Sequence, residues 1–318
     1  MIGAVASALG SFAAIRLFVS REIWGEGAVL PWGGHWPLYG YGIPAVALFI
    51  ASRWLSAENY RREQVALEGI SLALLVSLVS LELRTLIGGD LVHHDITLLE
   101  MSAHILAWLG AAYGLAYRQQ LFSSFVSLWG ARVLLCGSCV AIIAMSLLLL
   151  NPIISHDAIQ GNFAFNSLTM AYLAPVPLLA LIARKLEALR LASWRNAIGL
   201  LALVLSVAYV TTQTKMAFQG NYLIPEFSSD AESYALSAAW LVLSILLFVV
   251  GLKLERKNIR LGGMVVMVLA LLKAFGYDLW EIGGLWRIAS LLGLGLCLIG
   301  VGWLYTRFVQ EPKPTAPA

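Results

Sequence analysis

The chain has 318 residues, of which 60% are hydrophobic and only 12% are charged, and its mean hydropathy is +0.81. Soluble domains carry about 25% charged residues, so a single soluble core of this length could not bury so much apolar surface. The composition therefore indicates an integral membrane protein. The net charge of +3 does not point to nucleic-acid binding, because the basic residues form short clusters between apolar runs.

Apolar runs long enough to cross a bilayer occur ten times along the chain. A helix needs about 20 mostly apolar residues to span the hydrocarbon. The first run lacks a basic leader and a small-residue cleavage site, so we expect a retained helix there and not a signal peptide. The predicted spans lie at about 2–19, 41–56, 66–87, 97–118, 129–150, 167–186, 196–218, 231–252, 259–277 and 284–306.

Prolines and cysteines are placed as expected for such helices. Pro44, Pro175 and Pro177 fall near the starts of the second and sixth spans, where a missing backbone N–H is best tolerated.

The cysteines all lie in apolar segments, where they are expected to act as small packing residues and not as a redox pair. They are Cys136, Cys139 and Cys297.

Lys and Arg collect in every second connection between the predicted spans. The even-numbered connections are basic, whereas the odd-numbered ones hold mainly acidic residues and histidines, with Arg21 as the exception. By the positive-inside rule, both termini are cytoplasmic and the odd connections face outward. The basic residues that decide this orientation include Arg61, Arg118, Arg184, Lys185, Lys253, Arg256 and Arg307.

Two stretches of the chain resemble each other at a nearly constant spacing. YGIPAVALFIASR at 41–53 matches YLAPVPLLALIAR at 172–184, and LELRTLIGG at 81–89 matches TQTKMAFQG at 212–220, both at an offset of 131. EMSAHILAWL at 100–109 matches ESYALSAAWL at 232–241 at an offset of 132. Four spans per copy is an even number, so the two copies are predicted to be parallel repeats.

We therefore predict an all-α, polytopic transmembrane helix bundle of about ten spans that forms a single integral membrane domain over residues 1–318. KAF at 273–275 echoes RLF at 16–18, so a third copy that begins with the last two spans stays an alternative. The predicted parts are repeat 1 at about 1–128, repeat 2 at about 129–258, a terminal helix pair at about 259–306 and a cytoplasmic tail at 307–318.

Some of these stretches also resemble a known protein family. TQTKMAFQG, AESYALSAAWLVLSILLFVVGLKL and, above all, LLKAFGYDLWEIGGLWRIASLLGLGLCLIGVGWLYTRF resemble the C-terminal part of a bacterial family of multi-spanning proteins, domain of unknown function 2339. Lys273, Asp278 and Arg287 fall in the most specific of these motifs. The resemblance implies a multi-pass protein of the bacterial inner membrane and cell envelope, and it implies no particular activity.

Ionisable residues inside the predicted spans lie near the outward helix ends. Such residues cost a few kcal/mol near the centre of a helix in lipid, so they need partners, water or a short reach to the interface. Arg84 with Glu100, and Lys215 with Glu232, are predicted to be equivalent pairs in the two repeats. The full set is Arg16, Glu82, Arg84, Glu100, Lys215, Glu232, Lys273, Asp278 and Arg287. Glu82 and a further ionisable residue, His104, lie deepest in the spans.

This set of charges permits two explanations. In one, the cations reach the headgroups and the carboxylates pair with them to fix helix packing. In the other, the charges line an outward-facing cavity for an anionic headgroup, phosphate or carboxylate, with Glu100 and Glu232 positioning the cations. The cationic clamps would then be Arg84, Lys215, Lys273 and Arg287.

The leading functional hypothesis is binding or transport of an anionic envelope lipid or glycan precursor. One alternative is a transferase or hydrolase that acts on such a precursor, with Glu82, Glu100 or His104 as acid or base. Another is a structural subunit whose charges match a partner helix. We predict no cofactor and no metal site, because the histidines of the HHD stretch at 93–95 lack the helical spacing of a preformed zinc site. The expected partners are the lipid bilayer, an anionic or lipid-linked ligand and other membrane proteins, but not nucleic acid.

Overall fold

The computed structural model describes residues 37–54, 61–88, 95–224 and 229–275, with 295, 299, 300, 302, 303 and 306. Within this part the elements are helical, and the isolated β-bridge between Gly161 and Asn166 does not extend into a strand. The predicted first span, almost all of the predicted tenth, and Arg16, Asp278 and Arg287 lie outside the described residues. The all-α class is confirmed.

The helices follow the predicted apolar runs closely. Five of those in the described residues are long and apolar enough to cross a membrane, and a shorter apolar helical stretch spans Thr169–Ala183. The total of ten spans stays a prediction. The α-helices are α1 (Ile43–Trp54), α2 (Arg61–Gly88), α3 (Leu98–Phe122), α4 (Phe125–Ala141), α5 (Pro152–Ser155), α6 (Pro175–Ala183), α7 (Arg195–Gln219), α8 (Asp230–Lys253) and α9 (Lys257–Lys273).

Several predicted boundaries were wrong by about a turn, since α2 begins at Arg61 and not at about 66, and α4 begins at Phe125 and not at about 129. The fourth span was expected to end at residue 118, with Arg118 in the following loop, but α3 continues to Phe122. Arg118 therefore lies within the helix, where its guanidinium forms an ion pair with Glu68 of α2. That pairing compensates the charge, so the helix has no need to end at the arginine.

The first of two compact units comprises the chain up to Leu148 together with Arg184–Ala192. In it α2 packs against α1, α3 and α4, and α3 packs against α4. Gly130 permits the close approach of α4, since a Cβ there would lie 2.6 Å from Cδ2 of Leu72. The buried side chains of this unit include Tyr41, Leu74, Ile105, Leu109, Leu135, Leu186 and Leu189.

The second unit comprises Leu149–Ala183 and the chain from Ser193 onward. Here α7 packs against α6, α8 and α9, and α8 packs extensively against α9. Gly263 brings α9 against the backbone of α8, because a Cβ would lie 2.9 Å from the carbonyl oxygen of Ser244. Such small residues let membrane helices approach closely.

Wider turns of π-helix precede two of the prolines. One spans Leu38–Gly42 before Pro44, and the other spans Thr169–Leu173 before Pro175. A proline cannot donate the i→i−4 hydrogen bond, so an irregular turn is tolerated at this place. The prolines near the helix starts were predicted, but the π-turns were not. A third π-helical stretch, Ile142–Leu149, continues α4.

Candidate functional site

In the first unit, an ion pair joins the end of α2 to the start of α3. Arg84 lies four residues before Gly88, the last residue of α2, and Glu100 is the third residue of α3. Nη1 of Arg84 lies 2.9 Å from Oε1 of Glu100. The arginine side chain is 21% exposed, whereas the glutamate side chain is 2% exposed. The predicted pair is confirmed, and its carboxylate is the more deeply buried partner.

The second unit contains the other predicted pair, between α7 and α8. Nζ of Lys215 lies 2.9 Å from Oε1 of Glu232, and the side chains are 15% and 3% exposed respectively. Gln219, one turn beyond Lys215, donates from Nε2 to both oxygens of the same carboxylate, at 3.1 and 2.9 Å. Its own Oε1 accepts from the backbone N–H of Ile224. The role of Gln219 was missed, although its i+4 spacing from Lys215 places both residues on one helix face.

Both glutamates owe their positions to the way their helices begin. Thr97 Oγ1 accepts from the backbone N–H of Glu100, and Ser229 Oγ accepts from that of Glu232, at 3.3 and 3.2 Å. Each carboxylate is thereby held in the first turn, where the positive end of the helix dipole favours negative charge. The Ser/Thr-x-x-Glu pattern is a sequence signal for such helix starts, and we did not use it to place them.

A second contact joins each of the two helix pairs, α2–α3 and α7–α8, further along the helices. Nε1 of Trp108 donates to Ser80 Oγ at 3.3 Å, and Nε1 of Trp240 donates to Thr211 Oγ1 at 3.0 Å. Ser80 precedes Arg84 by one helical turn, as Thr211 precedes Lys215, so each hydroxyl lies on the cation's face. The tryptophans were part of the matched sequence motifs, but their hydroxyl partners were not predicted.

Lys273, the last residue of α9, reaches the helix that carries Glu232. Its Nζ donates to the backbone oxygen and Oγ of Ser233, both at 3.0 Å, and to Ser237 Oγ at 2.9 Å. An ammonium group has three N–H donors, and these three neutral oxygens match that number. The structure thus brings two lysines, Lys215 and Lys273, to the first turns of α8.

His104 lies one turn beyond Glu100 on α3. Its Nδ1 is 2.8 Å from the backbone oxygen of Glu100, and its ring meets Trp108 edge-on, with centroids 6.1 Å apart. A carbonyl oxygen only accepts hydrogen bonds, so Nδ1 carries a proton and, in the neutral ring, Nε2 is the basic nitrogen. Glu82 lies on α2 and is half-buried, and its backbone oxygen accepts from Thr85 Oγ1 at 2.9 Å.

Other charges of the first unit lie toward the opposite helix ends. Glu68 near the start of α2 pairs with Arg118 near the end of α3. On α4, Nε of Arg132 donates to the backbone oxygen of Leu189 at 2.8 Å, and its guanidinium lies 5.0 Å from the ring centroid of Trp129. Neither Glu68 nor Arg132 was among the predicted charges within the spans. These contacts show that α2 and α3 are joined by ion pairs near both ends.

Residues 1–308 match the family model described as "Predicted membrane protein (DUF2339)". The chain belongs to this family. No curated protein and no solved structure matches the chain. The match covers all the helices described above, so the membrane setting applies to both units of this DUF2339 protein.

The described site residues of the DUF2339 protein hold charge in ion pairs. Among the described residues, no group of three or more His, Cys, Asp and Glu side chains lies together as metal ligands would. Cys136 and Cys139 of α4 are half-buried free thiols. In each helix pair, α2–α3 and α7–α8, the structure shows a cation held by a more deeply buried carboxylate.

Proposed function

We propose that this DUF2339 protein binds the anionic group of an envelope lipid or glycan precursor at the outward ends of its helices in the bacterial inner membrane. The supporting observation is the arrangement of each pair: Glu100 and Glu232 are almost fully buried, whereas Arg84 and Lys215 keep part of their side chains exposed. A fixed carboxylate holds the cation in place, and the exposed part of the cation remains accessible to a phosphate or carboxylate.

Lys273 strengthens the positive charge in the second unit. It lies with Lys215 at the first turns of α8, where Glu232 is the carboxylate that pairs with Lys215. Arg287 is proposed as a further clamp and Asp278 as a further member of the site, by their place in the family motif. Lysine acts as a point charge, so this part of the site suits a headgroup that is not recognised in a strict bidentate geometry.

We further propose that residues of about 1–128 and about 129–258 form a parallel repeat of four spans each, with both termini in the cytoplasm. Contacts at equivalent positions support the repeat: the two ion pairs, the two capping residues and the two tryptophan–hydroxyl bonds share the offsets of 131 and 132 found in the sequence. The π-turns also correspond, since Leu38–Gly42 and Thr169–Leu173 differ by 131 positions. The alternation of basic connections supports the orientation.

Native mass spectrometry of the protein released from native membrane tests the binding proposal. In the variants, Arg84→Gln is combined with Glu100→Gln, and Lys215→Gln with Glu232→Gln, so that each pair loses its charges but keeps side chains that form hydrogen bonds. We expect several-fold less co-purified acidic lipid or lipid-linked glycan, because the fixed cations are gone. The matched control, Arg118→Gln with Glu68→Gln, removes a pair near the opposite helix ends. Unchanged ligand retention in folded outward-end variants would refute the proposal.

A structural role is a second candidate, and a specific contact favours it. Gln219 and Lys215 together occupy both oxygens of Glu232, so this carboxylate is satisfied within the unit. Pairs of this kind could serve only to hold helices together in a subunit of a membrane complex. Exchange of the charges, Arg84→Glu with Glu100→Arg, would then restore the stability that either single change removes, while ligand retention would not respond.

An enzymatic role rests on His104. Its Nδ1 is held by the backbone oxygen of Glu100, so its basic Nε2 would suit a general base in a transferase or hydrolase that modifies the same precursor. Glu82 and Glu100 are the candidate acids for such a role. Loss of turnover in His104→Gln and Glu82→Gln, with ligand retention intact, would favour catalysis over binding alone.

A further inference from the structure

The connection between α5 and the π-turn at Thr169–Leu173 folds into a short hairpin at residues 160–167, here called the 160–167 hairpin. The backbone N–H of Asn162 donates to the oxygen of Phe165, and that of Ser167 donates to the oxygen of Gln160. Gly161 has φ +105°, and a Cβ there would lie 2.4 Å from the oxygen of Phe165. Only glycine fits this position, so the turn is specified by the sequence.

The hairpin runs back alongside α7 from the end of that helix. Near its base, the N–H of Ile159 donates to the oxygen of Asn221, two residues beyond the last residue of α7. At its tip, the oxygen of Phe163 accepts from the side chain of Gln213, six residues before that last residue. At about 1.5 Å per residue, the tip therefore lies about 9 Å inward from the helix end.

With α7 centred in the bilayer, this depth places the tip just inside the edge of the hydrocarbon. The 25 residues of α7 extend about 37 Å, which exceeds a hydrocarbon thickness of about 30 Å by about 7 Å. A helix centred in the bilayer would project about 4 Å beyond the hydrocarbon at each end. The tip of the hairpin then lies about 5 Å inside the hydrocarbon edge.

Irregular backbone at such a depth needs partners for its polar groups. The side chain of Asn166 supplies several: Nδ2 donates to the oxygen of Phe163 and to Gln213 Oε1, while Oδ1 accepts from the N–H of Thr169. The N–H of Phe165 donates to Asn162 Oδ1 at 2.7 Å. The turn thus meets much of its hydrogen-bonding requirement without water.

The exposed surface of the hairpin is uncharged and is dominated at its tip by two phenylalanines, with Gln160 and Asn162 also exposed. Phe163 and Phe165 are 60% and 80% exposed, and residues 158–169 contain no charged side chain. Both phenylalanines lie beside α7, a helix long and apolar enough to cross a membrane, because Gln213 of that helix bonds the tip. Phenylalanine is one of the apolar side chains that interfacial membrane segments insert at the boundary between headgroups and acyl chains.

We propose that the 160–167 hairpin is a re-entrant membrane anchor, whose two phenylalanines contact the acyl chains of the leaflet at the C-terminal end of α7. By the orientation proposed above, this is the outer leaflet. The occupant of the surface is lipid and not a protein partner, because the tip is bonded to a candidate membrane-spanning helix six residues before its last residue, and residues 158–169 carry no charge for specific recognition. The anchor holds the outward connection of the second unit at a fixed depth, whether or not an anionic ligand binds at Lys215.

Site-directed spin labelling in reconstituted bilayers tests this inference. Cys136, Cys139 and Cys297 are replaced by serine, and a nitroxide is attached at Phe165→Cys or, in a second variant, Phe163→Cys. Asp157→Cys is the matched control, since Asp157 is exposed on the same connection but lies before the hairpin. Power saturation then compares collisions with oxygen, which partitions into lipid, and with a water-soluble nickel chelate.

We expect the ratio of oxygen to nickel accessibility at positions 163 and 165 to exceed that at 157 several-fold. Equal ratios at all three positions would mean that the hairpin lies in water, and would overturn the proposal. Shielding of 163 and 165 from both reagents would mean that protein covers the phenylalanines, and would overturn it equally. Unchanged helical circular dichroism and a single elution peak establish that the labelled variants are folded.

Discussion

Glu232 accepts a hydrogen bond from the Lys215 ammonium over 2.9 Å and two further hydrogen bonds from Gln219. The carboxylate is therefore the shared partner of two side chains that lie one turn apart on α7. In the first unit, Arg84 makes the corresponding contact with Glu100 at the same distance. Both carboxylates lie in the first turn of a capped helix, so the helix dipole and the cation act on the same group.

A double-mutant cycle over Lys215→Met and Glu232→Gln should show strong coupling. Residues that share a buried hydrogen-bonded pair interact by about 0.5–3 kcal/mol, and the near-complete burial of Glu232 favours the upper part of that range. Equilibrium unfolding in mixed micelles measures it. The exposed contact between Lys185 and Gln120 serves as a control that should couple by less than about 1 kcal/mol. Equal coupling energies for Lys215–Glu232 and for Lys185–Gln120 would mean that burial of Glu232 adds nothing to the strength of its pair.

Trp108→Phe and Trp240→Phe should each remove one interhelical hydrogen bond. A typical bond of this kind contributes about 0.5–1.5 kcal/mol, so we expect a modest loss of thermal stability in both variants. Trp54→Phe is the control, because Trp54 is 86% exposed on α1. If Trp54→Phe lowers stability as much as the other two changes, the hydroxyl contacts to Ser80 and Thr211 do not stabilise the α2–α3 and α7–α8 helix pairs.

Gly263→Ala should destabilise the packing of α8 against α9. The added Cβ would lie 2.8 Å from the backbone nitrogen of Phe248 and 2.9 Å from the oxygen of Ser244, and backbone atoms cannot move aside as a side chain can. Overpacking of this kind costs about 1–3 kcal/mol. Gly110→Ala on α3 has no neighbour within 4 Å of the new Cβ, so it should be neutral or slightly stabilising. Thermal unfolding of the two variants side by side measures the difference.

The proposed orientation predicts opposite labelling at two exposed acidic residues. In a cysteine-free background, Asp157→Cys should react with a membrane-impermeant maleimide on spheroplasts, in which the periplasmic face of the inner membrane is exposed. Glu187→Cys, in the basic connection after α6, should react only after the membrane is opened, because basic connections are retained in the cytoplasm. Labelling of Glu187→Cys on closed spheroplasts would reverse the orientation and place the hairpin in the other leaflet.

Several features could be read directly from the order of residues. Long apolar runs predicted α2, α3, α7 and α8 to within a few residues, because the length of a spanning helix is set by the thickness of the hydrocarbon. The two ion pairs followed from charges near facing helix ends. In each case the sequence determines how deep a residue lies along a helix, and opposite charges at equal depth on consecutive helices have few other partners.

What the sequence left undecided is how each helix is rotated about its axis and which helix lies beside it. The rotation and the neighbours of each helix place Gln219 against Glu232 and Trp240 against Thr211. They also place Lys273 against the oxygens of Ser233 and Ser237. They also decide that Asn166 meets Gln213, which turns the 160–167 hairpin back along α7. Hydropathy and charge specify depth because the bilayer acts on one dimension only. Partners around the helix axis are specified by side-chain packing, which only the tertiary structure decides.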